Sequence, residues 1–194
     1  MGVTGVGKTT VGQLLAGVLA VPYADGDSFH SNESIRKMSA KQPLSDRDRA
    51  PWLNSIGAWL RRTEPGAVVS CSALRRRYRD ALLAEVPDSF FIHLAADQNT
   101  VVTRLALRRE HFMPEALIAS QFAELEPLGH DEPGSTVDGR LPLTEVCEQA
   151  LTAIEAAWPS LVIDRGPGVQ AVHATEHDRR SDGSVDADEP QKEE

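Results

Sequence analysis

Met1-Gly-Val-Thr-Gly-Val-Gly-Lys-Thr-Thr10 opens the chain, and the architecture of the rest is read outward from it. Gly2, Gly7, Lys8 and Thr9 stand at the positions of G-x-x-x-x-G-K-[ST], the phosphate loop. Glycines let the backbone turn with positive φ and bring bare N–H groups against an anion. Lys8 adds a mobile positive charge for the β- and γ-phosphates, and Thr9 supplies a hydroxyl for Mg²⁺. Val3, Thr4, Gly5, Val6 and Thr10 complete the expected nucleotide cradle. From Thr9 to Ala20, apolar residues recur at Val11, Leu14, Leu15, Val18 and Leu19, one face at helical spacing. The N-terminus of that helix, with its partial positive charge, faces the same phosphates.

A phosphate loop normally follows a buried strand in the middle of a sheet, yet only Met1 precedes Gly2 here. Burying the five or six apolar side chains of such a strand is worth on the order of 10 kcal/mol. That rivals the whole stability of a domain, about 5–15 kcal/mol. The expectation is that the first strand is missing from this sequence and that the natural chain starts upstream, with Met1 internal.

The chain has 194 residues, 41% hydrophobic and 25% charged, an ordinary globular composition with enough length for one domain. A net charge of −9 argues against a nucleic-acid-binding surface. No apolar run approaches the ~20 residues that span a membrane. Cys71 and Cys147 suit neither a disulfide framework nor a zinc site, and the cytoplasm is the expected compartment.

Val21 to Ala24 is a short apolar stretch, read as a strand, that runs into Asp25-Gly26-Asp27-Ser28-Phe29-His30. Carboxylates at the C-terminal end of a strand sit where open α/β sheets place ligands. One can hold Mg²⁺ through water while the other orients a hydroxyl or receives its proton; a plain turn using Asp for backbone bonds is the alternative. Ser31 to Ser39 reads as a helix capped by Ser31, with Arg36 and Lys37 set either for an anionic substrate or for solvent. Asp46 to Thr63 is a longer helix whose apolar face is Trp52, Leu53, Ile56, Trp59 and Leu60. Strands follow at Ala67–Cys71, Phe90–Leu94 and Ser135–Asp138. Between the first two lies a helix reaching Glu85 that starts with Arg75, Arg76, Arg77 and Arg79. Four arginines at a helix start oppose the macrodipole, so an acidic partner is expected: a substrate anion or neighbouring Asp and Glu. Asn99 to Arg109, with Arg104 and Arg108 on one face, and a second helix to about Leu125 form a candidate flap that would close over the nucleotide. Leu143 to Ala157 is the last helix, and 165–194 turns acidic and poor in large apolar groups, an expected disordered tail.

Alternating strands and helices behind a phosphate loop mean an α/β fold: three layers, a parallel sheet with helices on both faces, and a helical lid at about 104–127, all within residues 1–164. The absence of N-K-x-D favours a small-molecule kinase over a GTPase. Here the sequence resembles the gluconokinases of the small P-loop type, relatives of shikimate and adenylate kinases. The resemblance is carried by Gly2–Thr10, Asp25–His30, Asn32 with Lys37-Met38, and the run from Pro43 to Leu53. It continues through Cys71–Leu74, Tyr78-Arg79-Asp80, His111-Phe112-Met113, Ser120-Gln121-Phe122 and Leu125-Glu126-Pro127, so it covers about residues 1–157. It implies transfer of the ATP γ-phosphoryl to the 6-hydroxyl of D-gluconate. It also implies Mg²⁺ held through Thr9 and Asp25, with Asp27 facing the acceptor hydroxyl. By the same resemblance, Arg104 would lie against adenine and Arg108 on the phosphates, making Lys8, Asp27 and Arg108 the catalytic set. Arg75 and Arg79, with His30 and Lys37, are weaker candidates for the acceptor's carboxylate and hydroxyls. A homodimer is expected from the family alone. The rivals are a kinase of the same fold with another acceptor, shikimate-like or a nucleotide, and a nucleotide-binding protein without transferase activity.

Overall fold

The computed structural model of the chain describes residues 1–40, 42–107, 115–161 and 163. Arg108, the break 109–114 and the expected acidic tail 165–194 lie outside the described residues. Helix α1 (Lys8–Leu19) leads to strand β1 (Tyr23–Asp25), a 3-10 turn over Gly26–Phe29, and helices α2 (Asn32–Ser39) and α3 (Asp46–Arg62). Then come β2 (Val68–Ser70), α4 (Arg76–Glu85), β3 (Phe91–Ala95), α5 (Gln98–Ala106), α6 (Glu115–Glu124), β4 (Gly134–Asp138) and α7 (Leu143–Ala157).

Short polar side chains start several of these helices. Ser31 caps α2 by accepting from Ser34 N, and Asp97 caps α5 by accepting from Thr100 N. Ser45 and Asp48 form a reciprocal capping box at α3. Pro51 is the sixth residue of α3, inside the helix, so its missing N–H leaves the Arg47 carbonyl without the usual amide donor four residues on.

The strands pair in parallel, β1 with β2 and β3 with β4, in two two-stranded sheets. Met1 and Gly2 lie between the two. Gly2 N donates to Ser72 O just past β2, the Met1 amine donates to Ile92 O, and Leu94 N donates to Met1 O. The residues just before the phosphate loop therefore occupy a central strand position, as the motif requires, and bring the loop to the C-terminal ends of all four strands.

Helices cover both faces, as expected from the alternation. Successive strand side chains point to opposite sides. Leu94 and Ile92 join the cluster of α1, α5, α6 and α7, with Val11, Leu15, Val101, Ile118, Ala150 and Leu151 at its centre. Phe91 joins the other, where Trp52, Leu53 and Ile56 of α3 meet Tyr78 and Leu82 of α4. Trp52 is 3% exposed, so it is core rather than a surface for a stacked ligand. Among the described residues no helix is long and apolar enough to cross a membrane.

Candidate active site

The phosphate loop is fastened to the core by its own apolar residues, since Val3 and Val6 are both buried. Gly7, at φ 106°, is the N-cap of α1 and supplies no capping side chain. No acidic residue lies in the first turn of α1, so the positive end of the helix dipole is not offset within the helix. Gly5 has φ 78°, and an added Cβ would come within 2.8 Å of Leu105 Cγ, so bulk is excluded there. Lys8 Nζ donates to Val3 O at 2.9 Å across the loop.

The acidic turn lies beside it. Asp25 ends β1, and its carboxylate accepts from Thr9 Oγ1 at 3.3 Å and from Asp27 N at 3.0 Å. The same residue thus meets the loop threonine and shapes the turn that presents Asp27. Trp52 Nε1 donates to Gly26 O at 2.6 Å and pins the turn to α3. The Asp27 side chain is 85% exposed. The thiol of Cys71 is pushed up to about 11, chiefly by burial, and it feels the charges of both Lys8 and Asp27. Thr9, the neighbour of Lys8, and Asp27 both bond the Asp25 carboxylate, so the loop and the turn meet at the C-terminal end of β1. Thr9 and Asp25 offer only oxygen donors, which suit Mg²⁺ shared with phosphate oxygens and waters. Among the described residues no group of three or more His, Cys, Asp or Glu could hold a metal ion by itself.

His30 stacks on Trp52 with ring centroids 4.6 Å apart and planes at 11°. Its Nε2 lies 4.0 Å from Asp27 Oδ1, and its side chain is buried. Burial lowers its pKa, opposed by Asp27 and aided by Arg49. His30 is therefore a neutral neighbour of Asp27 at pH 7.

The basic residues divide sharply. Arg79 is 1% exposed and cannot meet a substrate, which corrects that expectation. Its guanidinium forks onto Glu132, with Nη2 to Oε1 at 2.8 Å. It also donates to the carbonyls of Ala73, Leu74, Glu126 and Pro127. Lys37 is held by Asp48 at 2.6 Å and Glu33 at 3.1 Å. These hydrogen bonds raise the Lys37 pKa and bring Asp48 down to about 2. Arg76 pairs with Asp131 at 2.8 Å and Arg77 with Asp46 at 2.8 Å, so protein carboxylates answer the arginines that oppose the α4 dipole. Glu126 also accepts from Arg76 N at the start of that helix. Arg75 is half-buried, 3.3 Å from Glu124.

On the lid side, Arg104 Nη1 donates to Val6 O at 3.4 Å and Nη2 to Arg140 O at 3.5 Å, so its head rests on the phosphate loop. Three residues near the site were not singled out from sequence. Gln121 of α6 accepts from Thr4 N at 2.7 Å. Glu124, one turn on, contacts Arg75 and Arg49. Arg49 donates to Tyr78 Oη at 2.7 Å. Gln121 belongs to a quoted family stretch, and Arg49 lies three residues before Trp52, on the same helical face as the residue that pins the turn. That spacing was the available signal.

A family model described as shikimate kinase matches residues 4–127. Gluconokinase of Gluconobacter oxydans (strain 621H) is 42% identical over 159 residues, covering 80% of this chain and 89% of that protein. The thermosensitive gluconokinase of Escherichia coli (strain K12) is 40% identical over 162 residues, covering 79% and 86%. The crystal structure of a gluconokinase from Sinorhizobium meliloti 1021 superposes with a TM-score of 0.77 at 39% identity, covering 83% of this chain and 92% of that one.

Proposed function

The chain belongs to the gluconokinase family of P-loop kinases, and on that premise we propose that it transfers the γ-phosphoryl of ATP to the 6-hydroxyl of D-gluconate. The observation that carries this reading is the Asp25 carboxylate bonded at once to Thr9 and to Asp27 N. It sets an exposed acceptor-side carboxylate beside a phosphate-gripping loop, which nucleotide binding alone does not require.

Phosphoryl transfer asks the protein for in-line positioning and charge neutralisation more than for covalent chemistry. Amides of the loop from Gly5 to Thr10 and the ammonium of Lys8 cradle the triphosphate, while the Gly2 and Thr4 amides fasten the loop to Ser72 and Gln121. Arg104 lies along the nucleotide, and Arg108 completes the charge on the transferring group. Asp27 orients the 6-hydroxyl and takes its proton as that oxygen bonds to the γ-phosphorus. The bond from phosphorus to the β–γ bridging oxygen breaks, and ADP leaves. Thr9 and Asp25 would hold Mg²⁺, which neutralises charge on the phosphates when bound. His30 and Arg75 flank the acceptor. The cytoplasm suits two unpaired buried cysteines, and a homodimer is the assembly the family suggests.

A coupled ADP assay over D-gluconate, shikimate and nucleoside monophosphates tests the reading, with ³¹P NMR of the product. D-Gluconate should give the highest kcat/KM and a phosphate ester on C6. Faster turnover with shikimate or a nucleotide, or ATP binding without transfer to any acceptor, would overturn it.

A further inference from the structure

A polar side chain interrupts the packed face of α6. Ile118, Phe122 and Leu125 form that face. Ile118 is 1% exposed and shares a core cluster with Val3 and Val6 of the phosphate loop, and Phe122 and Leu125 pack against the same cluster. Gln121 follows Ile118 by three residues and precedes Leu125 by four, so it falls in the same stripe. An amide among apolar neighbours needs a hydrogen-bond partner. Its Oε1 has one in Thr4 N of the loop, which donates to it at 2.7 Å. The helix is a firm base for that bond. Just past its end, Glu126 N donates to Leu74 O at 2.8 Å, and buried Arg79 donates to Glu126 O and Pro127 O.

The other end of the same peptide group is engaged as well. Thr4 N and Val3 O belong to one peptide unit, and a trans peptide points its N–H and its C=O in opposite directions. Val3 O accepts from Lys8 Nζ at 2.9 Å. The Gln121 carbonyl, the Val3–Thr4 peptide and the Lys8 ammonium therefore make a continuous hydrogen-bonded chain from α6 to the loop lysine. Each bond in such a chain polarises the next. The flanking parts of the loop are fixed by other means. Gly2 N donates to Ser72 O, Val3 and Val6 are buried, and Gly5 packs against Leu105 with no room for a side chain. These contacts hold the residues on either side but leave the plane of the Val3–Thr4 peptide free to rotate between them. Gln121 is the side chain that sets that plane.

We propose that Gln121 is a positioning residue for phosphoryl transfer: by holding Thr4 N it fixes the Val3–Thr4 peptide with its carbonyl toward Lys8, and so aims the Lys8 ammonium across the loop. This rests on the kinase reading above and not on which alcohol is the acceptor. Without a hydrogen-bond acceptor at residue 121, the Thr4 N–H faces apolar side chains. The peptide then turns toward water, and Lys8 loses the carbonyl that orients it.

The test is a double-mutant cycle on the full chain, with kcat measured at saturating ATP on the acceptor that the wild-type protein turns over fastest. Gln121→Met keeps the length of the side chain and its packing but has no strong acceptor. With Lys8 present it should lower kcat about five- to tenfold, the worth of one hydrogen bond. In the Lys8→Ala background it should change the residual rate less than about twofold, because no ammonium is left to aim. The KM for the acceptor should stay within about twofold in both backgrounds, since Gln121 acts on the phosphate side. Equal losses in the two backgrounds, as a merely structural role would give, or no loss with Lys8 present, would overturn the proposal. Deuterium exchange at the Thr4 amide, followed by NMR in the wild-type protein, needs neither variant nor substrate and decides the matter if Gln121→Met fails to fold. That amide should exchange at least about tenfold more slowly than in an unstructured peptide. An unprotected Thr4 amide would overturn the proposal, and so would protection that persists in Gln121→Met. Wild-type turnover of D-gluconate judges the sugar-acid reading separately.

Discussion

Replacing Arg79 with alanine should be among the most damaging single changes in the fold, although the residue touches no substrate. Arg79 and Glu132 are each 1% exposed, and the guanidinium holds four backbone carbonyls besides the carboxylate. Removing one partner of a buried ion pair leaves the other charge without compensation, at a cost of about 3–5 kcal/mol. Set against a total of about 5–15 kcal/mol, that loss is a large share of the stability. At about 2–4 °C per kcal/mol for a chain of this size, the Tm should fall by about 6–20 °C. The Arg79 hydrogen bond holds the Glu132 carboxyl below the usual carboxylate range, so the pair's contribution is present above the ordinary Glu pKa and is lost as pH falls below it. Urea unfolding followed by circular dichroism at pH 7 measures the loss. The double variant Arg79→Leu/Glu132→Leu should recover much of it, because no buried charge is left alone. An Arg79→Ala protein within about 1 kcal/mol of wild type would refute the claim that this pair staples the loops at 73–74 and 126–127 together.

Lys8→Ala should lower kcat about 10²–10³-fold while the circular dichroism spectrum and Tm stay near those of wild type, because the ammonium serves the phosphates rather than the core; a loss of fold in this variant would contradict that. His93 is 4% exposed, and burial, with the Met1 amine and Arg79 adding to it, holds its pKa down at about 4 against an ordinary 6.5. The unfolded chain takes up the proton first, so this contribution is present above pH 6.5 and is lost as pH falls toward 4. Stability should drop by about 2 kcal/mol from this residue between pH 7 and pH 5. His93→Gln should show a correspondingly smaller drop in denaturant titrations, and an identical pH dependence would refute the assignment.

Much of this architecture was legible in the sequence because it is set locally. The loop motif, the 3.6-residue spacing of Val11, Leu15 and their neighbours, and the Ser31 cap each need only a few adjacent residues to act. The last helix, Leu143–Ala157, has the ends expected from its pattern. Strand ends shifted by a residue or two because pairing partners decide them: β1 runs Tyr23–Asp25 rather than from Val21, in register with Val68–Ser70. What stayed hidden depends on long-range contacts. Arg79 and Arg75 look alike in a run of arginines, but Glu132, 53 residues further on, seals one while the other stays accessible. Lys37 reads as an anion binder until Asp48 is seen against it. Arg49 is one charge among several in Asp46–Arg49, and only the fold brings it against Tyr78 and Glu124.

The central claim is that an alcohol is aimed by Asp27 at a triphosphate held by the amino-terminal loop. It is tested most directly by Asp27→Asn, with kcat measured on D-gluconate and ATP affinity measured by calorimetry on the same protein. The amide keeps the size of the side chain but cannot take the proton, so kcat should fall about 10²–10⁴-fold while the Kd for ATP stays within about threefold of wild type. Normal turnover in that variant, or a loss of ATP binding as large as the loss of kcat, would contradict the account.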